Sequence, residues 1–366
     1  MIAIHTFADK HNVIWKELLY NQYLSAILAK KHYGELHFYC TPELKQQVVD
    51  LELPYDIINT SVVTNNDLDT WSIPKLKVFA QQQKPFIHLD TDTLLFKKPD
   101  FNKTNSDFIF SHLDLEIKNT LTELVNHRDT YDTPEGRVLH SFNESYTNLF
   151  FKLYSRLDNS FIKNVNFETI PNMNIIVVKN PTLFRRASIT TLQDYYKFKN
   201  EIDSEEFGPC YIEQFTLHTH LRTLSPEYKI QNEYNAHLYF DWVPFSNKKD
   251  ANNIADIDNY DFPMDLEVRY HCDCCQHDRE DRISIKDRKD IGRLLDYEFG
   301  GFLHTTYQKW YDYMQAIIIN KLRKEIGDEK LQQIHDYFKI IYPELNLPIK
   351  SGGEKLYEEL TGFKFK

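Results

Sequence analysis

Hydrophobic and polar positions in the first hundred residues follow two alternating patterns along the chain. Short apolar runs, which predict strands, occur at residues 2–7, 35–40, 55–58 and 85–89. Segments with apolar residues at helical spacing lie between these runs, at residues 15–31, 42–49 and 74–83. Strands that alternate with helices predict a mostly parallel sheet with helices on both of its faces.

The rest of the chain extends this pattern and then changes character. Apolar runs predict two more strands at residues 107–111 and 174–178, and helical spacing predicts helices at residues 212–221, 310–322 and 331–341. Residues 246–290 are rich in Asp, Asn, Lys and Arg, which indicates a surface insertion. We therefore predict one α/β domain with helical additions, the last of which form a C-terminal helical element.

The composition limits the classes of protein to which this chain can belong. With 366 residues, 42% of them hydrophobic, the chain can bury a substantial core and has the composition of a folded protein. A net charge of -11 argues against binding to nucleic acid, which depends on clustered Lys and Arg. The sequence contains no apolar stretch of membrane-spanning length and no secretory leader pattern, and its five cysteines are an odd number. We expect a cytoplasmic protein without a transmembrane segment.

Two carboxylates directly follow the fourth predicted strand. Asp90 and Asp92 are separated by one residue, and apolar residues continue on both sides of them. In open α/β sheets, ligands bind beyond the carboxyl ends of the strands, which is where these side chains are expected. Carboxylate oxygens are the ligands that Mg²⁺ and Mn²⁺ prefer, and such an ion stabilises a departing diphosphate. The pair therefore predicts a metal site that acts on a phosphate ester.

Residues 85–99 combine an apolar strand, Asp90-Thr91-Asp92, a second apolar run and Pro99. This segment resembles the Asp-x-Asp region of GT-A-fold glycosyltransferases, especially the glycogenin-like and capsular-polysaccharide or mannosyl-type enzymes. The resemblance implies a GT-A-like, Rossmann-like domain over residues 1–310, followed by the C-terminal helical element over residues 311–366. It also implies transfer of a sugar from a nucleoside diphosphate sugar, with a UDP-sugar as the first choice of donor. The acceptor would be a hydroxyl group of a glycan, a lipid-linked sugar or a protein.

The same resemblance assigns roles to residues around the carboxylate pair. Lys75, or alternatively Lys77, would help to bind the donor, and Asn174 would contact the donor sugar. Glu213 and Gln214 would open a helix that faces the sugar. Glu213 would act as a general base if the enzyme inverts the anomeric centre, or would position the acceptor or intermediate if the enzyme retains it.

A histidine late in the chain completes the implied metal site. His304 follows the pair Gly300-Gly301, and in glycogenin-like enzymes a histidine in such a position is a third metal ligand. Imidazole is softer than carboxylate, so this ligand set would favour Mn²⁺ over Mg²⁺. The His-x-x-Gly-x-x-Lys-Pro-Trp pattern of that group is absent from this sequence, although Lys309-Trp310 partly matches its end.

Two other classes of protein share such a fold. A nucleotidyltransferase that makes nucleotide sugars usually has a glycine-rich loop after its first strand, and residues 6–10 contain no glycine. A non-catalytic module that binds nucleotide sugars would keep the pocket and lose the metal ligands, whereas both aspartates are present. A further feature, the cluster of Cys272, Cys274 and Cys275, is open to three interpretations: a zinc site, reduced structural thiols or a redox role.

Overall fold

A computed structural model describes most of the predicted domain and most of the C-terminal element. The described residues are 1–9, 12–65, 70–98, 106–110, 113–116, 149, 153, 169–204, 208–224, 237–241, 264–272, 277–285, 292–297, 302–305, 312–344 and 349–366. The strands are β1 (Ile2–Thr6), β2 (Leu36–Tyr39), β3 (Ile57–Asn59), β4 (Phe86–Leu89), β5 (Thr93–Leu95), β6 (Phe108–Phe110), β7 (Leu113–Glu116), β8 (Thr169–Pro171), β9 (Ile175–Val178), β10 (His237–Asp241), β11 (Met264–Cys272), β12 (His277–Ile285) and β13 (Phe302–His304). The helices are α1 (Lys16–Tyr33), α2 (Pro42–Asp50), α3 (Ser72–Gln81), α4 (Pro181–Asp203), α5 (Leu217–Leu224), α6 (Gly292–Leu295), α7 (Asp312–Glu344) and α8 (Gly352–Thr361).

The main sheet has six strands in the order β3-β2-β1-β4-β9-β6. Strand β1 pairs in parallel with β2 and β4, and β2 pairs in parallel with β3. Strand β9 runs antiparallel to both of its neighbours, β4 and β6, so five of the six strands point the same way. The predicted α/β fold with a mostly parallel sheet is therefore confirmed.

Helices cover both faces of this sheet, which explains why its strands are apolar on both sides. All four residues of β4 are buried, and so are all four of β9. A strand that is buried on both faces of an α/β sheet has a continuous apolar sequence, because neither set of its side chains contacts water. On one face, Phe79 of α3 and Phe184 of α4 pack against Phe86 of β4. Helices α1, α7 and α8 share the largest hydrophobic cluster of the described residues.

A second sheet, with the order β12-β11-β10-β13-β5, is attached beyond the end of β4. Its strand β5 begins one residue after Asp92 and pairs antiparallel with β13. Strands β11 and β12 form an antiparallel pair. They lie within residues 246–290, which the sequence indicated as a surface insertion and where no strand was predicted. The second sheet matters for function because it brings residues 302–305 beside the Asp-x-Asp turn.

The C-terminal helices contact the first helix through a buried polar cluster. Glu354 of α8 bonds to the side chains of Lys16 and Tyr20 from α1 and of His335 from α7. The two helices predicted at residues 310–322 and 331–341 form one element, α7, which is interrupted at Gly327 with a φ of 80°. None of the helices in the described part of the chain combines the length and apolar character that crossing a bilayer requires.

Candidate functional site

The Asp-x-Asp turn lies at the carboxyl edge of the main sheet, as the sequence predicts. Asp90 directly follows β4, and Asp92 directly precedes β5. The amide of Asp90 donates to the carbonyl of Asn174 at 2.8 Å, and the amide of Thr93 donates to the carbonyl of Asp90 at 2.9 Å. Because β9 is antiparallel to β4, its first residues reach the same edge of the sheet, and this is why Asn174 adjoins Asp90.

Three of the predicted site residues form an ion-paired cluster beside this turn. The ammonium nitrogen of Lys75 lies 2.6 Å from Oδ1 of Asp90 and 2.9 Å from Oε1 of Glu213. The side chain of Glu213 is completely buried, and those of Lys75 and Asp90 are 9% and 18% exposed. Burial by itself lowers the pKa of Lys75, but the charges of Asp90 and Glu213 together outweigh that effect and raise it above its ordinary value. Lys75 is therefore a fixed positive charge.

Glu213 reaches this cluster from a π-helical segment, Tyr211–Thr216, that precedes α5. The sequence predicts an ordinary helix over residues 212–221, and the structure differs in having these wider turns first. Single-turn π segments in helices occur frequently at functional sites, because the extra residue per turn redirects side chains. Gln214 belongs to the same segment and is 9% exposed, and Asn174 is 1% exposed. Of the residues that the resemblance assigns to donor binding, Lys75, Asn174 and Gln214 are thus buried, and Asp90 is partly exposed.

Two buried histidines, for which the sequence predicts no role, lie beneath the turn. His88 is two residues before Asp90, and its Nδ1 lies 3.9 Å from Oδ1 of that aspartate. Burial, followed by the nearby charge of Lys75 and the imidazole of His5, lowers the pKa of His88 well below its ordinary value. Burial also lowers the pKa of His5 to about 3, although the charge of Asp92 opposes the shift. Both rings are neutral at physiological pH, so they add no positive charge under the carboxylates.

Polar side chains of α1 hold the turn from the other side. Ser25 donates to the carbonyl of Thr93 at 2.6 Å. Asn21 donates to the hydroxyl of Thr305 at 3.1 Å, and that hydroxyl donates to the carbonyl of Asp92 at 3.1 Å. Asn21 and Ser25 are four residues apart and therefore share one face of the helix. The sequence predicts no role for Asn21 or Ser25, because nothing near them in the chain shows that their partners belong to the turn.

Replacing Thr305 with valine tests this support. The change removes the hydroxyl that links Asn21 to the carbonyl of Asp92, and it leaves the buried amide of Asn21 without that acceptor. We expect a loss of about 1–3 kcal/mol in the free energy of unfolding, measured by chemical denaturation. Thr190→Val is the control, because that hydroxyl bonds to the carbonyl of Arg186 within its own helix. Equal stability of the two variants would contradict a supporting role for Thr305.

The predicted third metal ligand belongs to the strand that pairs with the turn. His304 pairs with Thr93 in the ladder between β13 and β5, and the next amide, that of Thr305, donates to the carbonyl of Asp92 at 3.0 Å. Within the described residues, no group of three or more His, Cys, Asp or Glu side chains is arranged to hold a metal ion. Asp90 and Asp92 are hard oxygen donors at a strand end, so they suit an ion that takes its other ligands from phosphate and water.

Some of the predicted features lie outside the described residues. These are Gly300, Gly301, Cys274, Cys275, Lys309 and Trp310. Neither Cys40 nor Cys210 forms a disulfide with another described residue. Burial raises the pKa of the Cys40 thiol to about 12, so this cysteine is an unreactive core residue.

Comparisons with known proteins give one family match and a remote structural likeness. Residues 8–178 match a family described as "Family of unknown function (DUF6734)". No curated protein matches the chain significantly. Among solved structures, the apo form of mouse xyloside xylosyltransferase 1 is similar with a TM-score of 0.32 and 10% identity, over 63% of this chain and 85% of that chain. The case for a function therefore rests on the residues of the site.

Proposed function

We propose that this protein is a metal-dependent glycosyltransferase that moves a sugar from a nucleoside diphosphate sugar, most simply a UDP-sugar, to an acceptor hydroxyl. The observation that carries the proposal is the buried cluster in which Lys75 bridges Asp90 and Glu213 at the carboxyl end of β4. Cationic and anionic groups that are held together at this edge of an α/β sheet are suited to a ligand that has both phosphates and hydroxyls. The Asp-x-Asp context of the sequence supports the same reaction.

The chain's own residues have distinct roles in this proposal. Lys75 binds the negatively charged part of the donor, and its two carboxylate partners hold the ammonium in place. Asp90 and Asp92 would hold Mn²⁺ or Mg²⁺, with His304 as a further candidate ligand. When bound, such an ion would stabilise the negative charge of the diphosphate leaving group. Asn174 and Gln214 would contact the sugar through their amide groups.

Glu213 acts in this proposal as a positioning group for Lys75 and the sugar. Its Oε1 accepts a hydrogen bond from the ammonium of Lys75 at 2.9 Å, and its side chain has no exposed surface. A general base has to reach the proton that it removes and has to exchange that proton with solvent or product. An ion-paired carboxylate without solvent access suits this task poorly. Of the two roles left open by the sequence, positioning is therefore the one that we propose, and Glu213 exerts it through its contact with Lys75.

A donor screen tests the proposed function. The full chain is incubated with a panel of UDP- and GDP-sugars with Mn²⁺, with Mg²⁺ or with EDTA, and release of the nucleotide is measured. We expect metal-dependent release from at least one donor. Asp92→Ala is expected to lower this release by about 10²-fold or more while the circular dichroism spectrum stays the same, because the change removes one hard oxygen ligand from the turn.

Asp50→Ala is the matched control, since Asp50 is an exposed aspartate at the end of α2. Full turnover by Asp92→Ala would refute the assigned metal role. Metal-independent nucleotide binding without any release would favour a non-catalytic module. Pyrophosphate formation from a nucleoside triphosphate and a sugar phosphate would favour a nucleotidyltransferase.

A further inference from the structure

An exposed indole lies next to the buried ion-paired cluster. Trp71 immediately precedes α3, and its side chain is 47% exposed. The ammonium nitrogen of Lys75, one helical turn later, lies 5.0 Å from the centre of the indole ring. The same ammonium contacts Asp90 and Glu213. Trp71 is thus the solvent-facing neighbour of a lysine whose other partners are largely or completely buried.

The backbone that carries this indole is tied to α4 by the preceding residue, Thr70. The hydroxyl of Thr70 lies 3.4 Å from Oδ1 of Asp203 and 3.5 Å from the hydroxyl of Tyr195, both of which belong to α4. The amide of Ile73 donates to the carbonyl of Thr70 at 3.1 Å. The backbone is therefore anchored directly before Trp71, and the first turn of α3 begins from that anchor. An aromatic side chain on an ordered backbone loses less conformational entropy when a ligand stacks on it than one on a disordered segment.

The contact with Lys75 does not by itself account for the exposed ring. A cation–π contact at an exposed position contributes only about 0.5–1 kcal/mol. Lys75 already has two carboxylate partners, which keep its charge without help from the indole. An exposed aromatic face beside hydrogen-bonding carboxylates is instead suited to a pyranose ring. The C–H groups of the sugar pack on the ring, while its hydroxyls can bond to Asp90, the most exposed of the three charged groups.

We propose that Trp71 forms an outer subsite at which a pyranose ring of the acceptor stacks on the indole. This inference rests on the proposed glycosyltransferase function. Helix α3 packs along α4, which follows β9, so Trp71 lies toward the β9 side of the site. In an open α/β sheet the ligand crevice lies at the point where the strand order reverses, which here is between β1 and β4, on the other side of β4 from β9. In the proposed function the donor diphosphate lies with Lys75 and the Asp-x-Asp turn, and the exposed indole is left for the acceptor.

Binding and kinetics of the full chain test this subsite with Trp71→Ala, Trp71→Phe and Tyr196→Ala. Tyr196 is the matched control, because it is an aromatic residue of α4 that is 55% exposed and contacts Tyr195. The first measurement is the binding of a panel of methyl pyranosides and short oligosaccharides in the presence of Mn²⁺ and UDP. We expect Trp71→Ala to weaken binding of the preferred glycan at least 10-fold, Trp71→Phe to weaken it less, and Tyr196→Ala to leave it unchanged.

The second measurement separates the acceptor from the donor. In Trp71→Ala, the KM for the acceptor glycan is expected to rise at least 10 times more than the KM for the nucleotide sugar. A larger rise in the donor KM would overturn the inference and would mean that the indole stacks on the nucleobase. Glycan binding that does not depend on Trp71 would also overturn it. If the wild type releases no nucleotide but binds a glycan through Trp71, the proposed reaction fails and the sugar subsite remains.

Discussion

Replacing Lys75 with methionine is expected to abolish most of the activity and to destabilise the fold at the same time. The ammonium of this lysine is the counter-charge of two carboxylates, Asp90 at 2.6 Å and the completely buried Glu213 at 2.9 Å. Removing one partner of a buried ion pair leaves an uncompensated charge, which costs about 3–5 kcal/mol. The loss of one fixed charge that stabilises a leaving group costs about 10²–10³-fold in kcat.

The control for this change lies on the same helix. Lys77 is two residues along α3 and half-buried, so Lys77→Met removes the same functional group from the same element. We expect Lys77→Met to retain kcat and most of the stability. This comparison also decides between the two lysines that the sequence left open for donor binding.

A double variant separates the two effects of losing Lys75. In Lys75→Met/Glu213→Gln, Asp90 is the one carboxylate of the cluster left without its lysine partner. We therefore expect the double variant to be more stable than Lys75→Met and to be equally inactive. Stability is measured as the free energy of unfolding in denaturant, and activity as nucleotide release. Wild-type turnover in Lys75→Met would remove the observation on which the proposed function rests.

Replacing Glu354 with glutamine is expected to produce the second large effect, on stability alone. Glu354 lies 2.9 Å from the ammonium of Lys16 and 3.0 Å from Nδ1 of His335, and all three side chains have no exposed surface. Glutamine keeps the volume but leaves the ammonium of Lys16 without its counter-charge. We expect a loss of about 3–5 kcal/mol in the free energy of unfolding at pH 7. The exposed Glu359 lies on the same helix, and Glu359→Gln should change stability by less than about 0.5 kcal/mol.

The pH dependence of this effect has a definite sign. Burial raises the pKa of Glu354, but the hydrogen bond from His335 and the charge of Lys16 outweigh it and hold the pKa below its ordinary value of 4.5. A lowered folded-state pKa means that the charged carboxylate stabilises the fold above the unfolded-state pKa, and that this contribution is lost as the pH falls through the folded-state pKa. The difference between wild type and Glu354→Gln should therefore be full at pH 7 and shrink below pH 4.5. A difference that stays constant down to acid unfolding would contradict the ion-pair explanation.

The elements of the main sheet could be predicted because each depends on a local pattern. The buried strand before Asp90 was predicted at residues 85–89 and is observed as Phe86–Leu89. A short apolar run that follows a helix is typical of a buried strand. The π-helical segment around Glu213 could not be predicted. Its wider turns depend on packing against α3 and α4, and the local sequence is compatible with an ordinary helix.

The candidate site also has a part that the sequence predicts and a part that it does not. The resemblance picked out Lys75, Asp90 and Glu213 as separate positions along 139 residues of chain, counted inclusively from 75 to 213. It did not predict that the lysine bridges the two carboxylates. That contact depends on the relative positions of α3, the end of β4 and the π segment. No short stretch of sequence indicates these positions, because the three elements are far apart in the chain. Asn21 and Ser25 were missed for the same reason, because their partners lie 284 and 68 residues away in the chain.

The sequence by itself determined the alternation of strands and helices, the place of the Asp-x-Asp turn at a strand end, and the acidic character of the chain. These properties follow from side-chain periodicity and composition, which are local and additive. Only the tertiary structure decided which charges neutralise one another, which histidines are neutral, and which tryptophan faces solvent beside the site. Each of these depends on burial and on distances of a few ångströms between residues far apart in the chain, because electrostatic energies and pKa values change steeply with both.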